Sequence, residues 1–234
     1  MADTRPTSPW VYVAVGCGVL VLLAVAGVAA LGFLGFRWAK DLERTLEDPA
    51  ARREAVLEIL GCEELPAGYH AMIGMSIPIL MEVAMLSDRP SGPGEEPQGF
   101  DERGFIYIKM VAFGKESQEL RDYFEGKTDD AAVLRQNNIN IRASEIVKRG
   151  TLETEDGTLL YLVQRGSLGA FGGRHEGLTA LTIVPCAGDR RTRMGIWFAP
   201  DPWEEGTQDP AALAGSPADE AAIQDFMAQF DLCR

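Results

Sequence analysis

The stretch from Trp10 to Phe36, WVYVAVGCGVLVLLAVAGVAALGFLGF, holds no charged residue. As a helix it would extend roughly 40 Å at 1.5 Å per residue, against a bilayer hydrocarbon core of about 30 Å. Trp10 and Tyr12 stand at one end, and Phe33, Phe36 and Trp38 at the other, the aromatic-belt arrangement of a span with both ends at an interface. The small-x-small sequence Ala24-Val25-Ala26 has the form of a cleavage site. Cleavage there would leave Gly27 to Phe36, still apolar, to open the mature chain, and the tail before the run lacks a basic region. The run is therefore expected to be a single uncleaved transmembrane helix that anchors the chain in a lipid bilayer.

That anchor divides the chain. Residues 1–9 are expected to be a disordered tail, 10–36 the transmembrane helix, 37–61 a juxtamembrane helical stalk, and 62–234 a soluble domain. The chain carries a formal charge of −13. In the tail Asp3 and Arg5 cancel, so the acidic excess lies beyond the span. A domain of this sign is repelled by phosphate backbones, which excludes nucleic acid as a partner. The basic run Arg190-Arg191-Thr192-Arg193 is expected to be a solvated hairpin turn.

The side of the membrane is contested within the sequence. Arg37, Lys40, Arg44, Arg52 and Arg53 follow the span, whereas only Arg5 and the free amine precede it, which by the positive-inside rule puts the domain in the cytoplasm. Cys62, Cys186 and Cys233 lie outside the span and pull the other way, because stable disulfides belong to oxidising compartments. The order of short tail, span and domain is that of a bacterial signal-anchor protein, so the domain is expected to be extracytoplasmic, against the Lys/Arg count. A bridge to Cys233 would pin the C-terminus. Chain entropy gives about 4 kcal/mol for Cys186–Cys233 and about 5 for Cys62–Cys233, too small a difference to choose by. Cys186 sits at a hairpin end, a rigid partner, and is favoured; Cys62–Cys233 is the alternative.

Periodicity supplies the elements. Asp48-Pro49 opens a helix over PAARREAVLEIL, with Val56, Leu57 and Leu60 on one stripe and Gly61 as its stop. Tyr69–Met75, Ile79–Ser87, Gly104–Phe113, Ile139–Lys148, Thr151–Thr154, Thr158–Arg165, Leu178–Val184 and Met194–Ala199 read as strands, and Gly104–Phe113, apolar on both faces except at Lys109, reads as central. Asp156-Gly157 marks a tight hairpin. Glu116–Glu125 reads as a helix. Ser216-Pro217-Ala218-Asp219 opens a closing helix whose Ile223, Phe226, Met227 and Phe230 must be buried. Strands outnumber helices and do not alternate with them, which gives the α+β class: an antiparallel sheet with packed helices.

The opening Leu65-Pro66-Ala67-Gly68-Tyr69, with the Gly74-Met75 strand and the loop at Asp88, resembles bacterial single-pass membrane proteins that share a Leu-Pro-x-Gly-Tyr opening and have no assigned activity. The order of helix, meander and closing helix is similar to the PsbP-like α/β sandwich. Both resemblances imply a compact binding or assembly module and carry over no functional residue.

Motifs for chemistry are sparse. His70 and His175 have no companions at metal-ligand spacing, so no metal is expected. Gly74-Met-Ser76-Ile-Pro78 departs from a nucleophile elbow, with Pro in place of the last Gly. Gly166 to Gly173 is glycine-rich but lacks the Gly-Lys-Ser/Thr ending that meets phosphates, and is expected to be a flexible loop. Met72, Met75, Met81 and Met85 invite a soft-metal reading, but strand alternation puts Met72 and Met75 on opposite faces, so core filling is expected. With no catalytic or cofactor set, the expectation is a membrane-anchored binding or scaffolding module with a protein partner; the alternative is a membrane-tethered hydrolase or thiol-active enzyme.

Overall fold

The computed structural model describes residues 44–45, 47–77, 80–92, 99–111, 116–130, 132–136, 141–154, 157–170, 173–189, 191–203 and 210–233. The apolar run, with Trp10, Tyr12, Phe33, Phe36 and Trp38, lies outside them, as does Cys17. No helix among the described residues is long and apolar enough to cross a membrane. The compact unit runs from Arg44 to Arg234 and includes the Pro49–Leu60 helix.

In chain order the elements are α1 (Pro49–Leu60), β1 (His70–Ile77), β2 (Met81–Ser87), β3 (Gly104–Val111), α2 (Glu116–Phe124), α3 (Ala132–Gln136), β4 (Ile141–Thr154), β5 (Gly157–Ala170), β6 (Gly173–Ile183), β7 (Arg191–Ala199), a 3₁₀ turn (Pro210–Leu213) and α4 (Glu220–Met227). The strands form one seven-stranded antiparallel sheet in the order β1-β2-β3-β7-β6-β5-β4. Two hairpin meanders meet at the β3–β7 seam, which explains why β3 is apolar on both faces.

Each face of the sheet carries its own core. On one face Val56 and Leu60 of α1 and Ile223, Phe226 and Met227 of α4 pack with Phe105, Tyr161, Ala180 and Trp197. On the other, Leu120, Tyr123 and Phe124 of α2 and Leu134 of α3 pack with Leu162, Leu181 and Ile196. Local signals set the α1 ends. Asp48 caps it by accepting the Ala50 N–H at 2.9 Å, Pro49 takes the first position, and Gly61 ends it at φ 65°. A side chain at Gly61 would put Cβ 2.4 Å from the Asp231 carbonyl, so this glycine also lets the C-terminal segment lie against the end of α1.

Four expectations are corrected. The glycine-rich stretch from Gly166 is strand up to Ala170, and β6 begins at Gly173; Gly166 pairs with Gly177 and Ser167 with Glu176. Opposite Gly166, a Cβ at Gly177, at φ 154°, would lie 2.2 Å from the Ala199 carbonyl, so the partner position in β6 requires glycine. The strand material read as two pieces around Gly150 is one strand, β4, with register shifts that absorb the irregular pattern. A register shift between Ala71 and Ile73 breaks alternation in β1, so Met72 and Met75 pack into the same core with Met81 and Met85, not onto opposite faces. The closing helix starts at Glu220, not after Ser216: Asp219 is the N-cap, accepting N–H bonds from Ala221 and Gly215.

Candidate functional site

The C-terminus is held where the β6–β7 turn meets α4. Cys186 and Cys233 are joined by a disulfide with Cα atoms 5.4 Å apart. Cys62, the alternative partner, is a free, half-buried thiol whose pKa is pushed up by burial, which makes it a poor nucleophile at neutral pH. Upstream of the bridge, Phe230 stacks on Phe105 at 5.2 Å, and Phe226 stacks on Trp197 at 4.7 Å and meets Phe105 edge-on at 5.1 Å. Trp197 Nε1 donates to the Tyr69 hydroxyl at 2.8 Å, so the tyrosine of the Leu-Pro-x-Gly-Tyr opening locks onto the same aromatic stack.

A charged ladder crosses the sheet beside this stack. Glu82, Lys109 and Arg193 are register neighbours on β2, β3 and β7. Lys109 Nζ lies 2.8 Å from Glu82 Oε2 with only 9% of its side chain exposed. Arg193 is 1% exposed, pairs with Asp189 through Nη2 at 2.5 Å and meets the Tyr107 phenol in a side-chain hydrogen bond. The expectation of a solvated turn over Arg190–Arg193 is thus corrected at Arg193, whose strand alternation turns it into the α4 face. Arg191 closes on the same carboxylate with Nε at 2.8 Å and Nη2 at 2.7 Å. Hydrogen bonds from the Arg191 side chain and backbone, then from Arg193, hold the Asp189 carboxyl far below the usual carboxylate range. The Tyr107 phenol next to Arg193 is pushed up, because burial outweighs the favourable guanidinium charge.

Hollows open at the edges of this construction. One of about 370 Å³, at the β6–β7 turn and the flank of α2, is lined by Gln118, Arg121, Asp189, Arg191, Thr192 and Arg193, with Cys186 at its wall. Another, of about 560 Å³, separates α4 from the β4–β5 hairpin end and is floored by Leu159, Val184, Met227 and Phe230. A third, of about 530 Å³, lies at the Leu65–Tyr69 turn with Arg53 and His70. The first alone brings several fixed charges of one sign together.

Of the residues singled out from sequence, Cys186 and Cys233 are brought together and Cys62 is not bonded to either. His70 is exposed at the start of β1, and His175 is half-buried against Phe100 and Phe198 with ring centroids at 5.5 and 5.4 Å. Ser76 lies in β1, and no group of metal-ligating side chains occurs among the described residues. The arginine cluster was missed. The signal available was Asp189 two residues before Arg191 and four before Arg193 at the mouth of a strand, a spacing that lets one carboxylate serve both guanidiniums. No known protein family matches the chain, and no curated protein does.

Proposed function

We propose that this chain is a single-pass membrane protein whose extracytoplasmic α+β domain binds a partner and does not transform one. The Cys186–Cys233 disulfide is the observation that carries this reading, because such bonds persist in oxidising compartments and favour the outer side over the Lys/Arg count. The apolar run from Trp10 to Phe36 supplies the anchor. The direction of the titration shifts supports binding over acid–base chemistry: Asp189, Asp219 and Glu220 are held low and Tyr69, Tyr107 and Tyr161 are held high, so each keeps its ordinary charge at neutral pH. A disulfide that fixes the wall of a charged hollow suits a rigid recognition surface. The PsbP-like resemblance agrees with a module of this kind.

Alkylation, without reductant, of protein taken from its membrane and unfolded in denaturant tests the reading. The expected product carries label on Cys62 and none on Cys186 or Cys233. Label on all three extramembrane cysteines would remove the case for an oxidising compartment, and the charge count would then place the domain in the cytoplasm.

A further inference from the structure

The stretch from Ala228 to Cys233 follows α4 and lies over the sheet without pairing to it. Its Gln229 and Phe230 N–H groups donate to the Phe226 and Met227 carbonyls at 3.3 and 3.2 Å, so they tie the stretch back to its own helix. Among the described residues no backbone hydrogen bond joins it to the sheet. Side chains hold it there: Phe230 stacks on Phe105 at 5.2 Å, and the Leu232 carbonyl accepts the Tyr107 hydroxyl at 3.5 Å. The Cys186–Cys233 bridge is its covalent tie. The same stretch is a wall. Ala228, Phe230 and Leu232 stand on one side of the hollow of about 560 Å³, with Leu159 and Val184 opposite. Cys186 and Cys233 are only half-buried, which leaves their bridge open to a thiol from solvent. Asp231, between Phe230 and Leu232, lies against Gly61, the neighbour of the free Cys62.

We infer that residues 228–233 are a redox-latched strap: bridged, they cover Phe105 and wall the hollow, and cutting the bridge frees them and opens the hollow along its α4 side. A dithiol reductant makes the cut. One of its thiolates attacks the Cys233 Sγ and Cys186 leaves as a thiolate. Its second thiolate then displaces Cys233, so the reductant ends as a disulfide and the chain gains two thiols, protonated at the reductant's expense. A chain end frays unless it is tied down, and removing the cross-link returns the freedom that the bridge withholds. Segments held by side chains open at lower cost than paired strands, so the sheet stays closed while the strap opens. Opening stops at α4, which keeps its Asp219 cap and the hydrogen bond from the Tyr161 hydroxyl to Glu220. The bridge thus sets how much of the apolar core on the α4 face meets solvent. This holds whichever side of the membrane carries the domain.

Hydrogen exchange read by mass spectrometry on the full chain in neutral detergent tests it, before and after reduction with dithiothreitol. Peptides over residues 228–233 should lose protection by about tenfold or more on reduction, while those over β3 keep theirs. The double variant Cys186→Ser, Cys233→Ser, which cannot form the bridge, should show the same local loss without reductant. In that variant Cys62 should also react faster with N-ethylmaleimide than in the bridged chain, because the strap no longer lies on Gly61. Unchanged protection of residues 228–233 in both reduced protein and variant overturns the inference. So does loss over β3 and the strap together, which would make the bridge a support of the whole fold, and so does a loss on reduction that the variant fails to reproduce. Any of these with Cys186 and Cys233 protected in the denatured alkylation would leave the extracytoplasmic binding module standing.

Discussion

Arg193 shows how a single position can invert the meaning of a sequence run. From sequence, Arg190-Arg191-Thr192-Arg193 reads as solvated charge because arginine is rarely buried unpaired. Strand alternation from Trp197 through Gly195 puts Arg193 on the α4 face, where Asp189 meets it. Asp189→Ala should therefore cost about 3 kcal/mol in chemical denaturation, the penalty for stranding a buried charge; a loss below about 0.5 kcal/mol would show the pair to be of the surface kind. The pH dependence has a definite sign. The folded pKa of Asp189 is depressed, so its stabilisation is present above the unfolded carboxylate value and is lost as pH falls from about 4 toward the folded value. Acid unfolding of the wild type should accordingly be steeper below pH 4 than that of Asp189→Asn. Phe226 is the contrasting case, legible in advance: its helical spacing demanded burial, and it is 6% exposed, packed on Trp197 and Phe105. Phe226→Ala should cost about 3–5 kcal/mol by urea titration.

At the scale of elements, ends and faces were legible to different degrees. Asp48, Pro49 and Gly61 define α1 because each acts on its own backbone neighbours. The start of α4 was read one turn early, since both Ser216 and Asp219 can cap. The aspartate prevails because its two oxygens reach Gly215 and Ala221 N–H groups at once, at 2.9 and 3.1 Å. Asp219→Ala should cost about 1 kcal/mol, whereas Ser216→Ala should cost little, a difference that thermal melts of the two variants can measure. The β5–β6 hairpin was not legible, because the glycine run from Gly166 signals a loop in isolation and is carried as strand only by its pairing with β6, where Gly177 stands opposite Gly166. The bulge in β1 was hidden for a related reason: pairing register depends on β2, and the local methionine pattern carries no trace of it.

For the whole molecule, the α+β class followed from the count and order of elements, and the antiparallel sheet with packed helices is what forms. The candidate site was not legible, because the hollow forms only where α2 reaches the β6–β7 turn. The disulfide closes a separation of 47 residues, so Cys233→Ser should lower stability by about 4 kcal/mol under oxidising conditions and change nothing once the wild type is reduced. The proposed function rests on one proposal, that a membrane anchors the chain and the domain stands outside it. Trypsin added to right-side-out vesicles tests that claim most directly. The account predicts release of a soluble fragment that begins after Arg37 or Lys40 and retains the Cys186–Cys233 bridge, without any need for detergent. Full protection of the chain until the vesicles are lysed would contradict it.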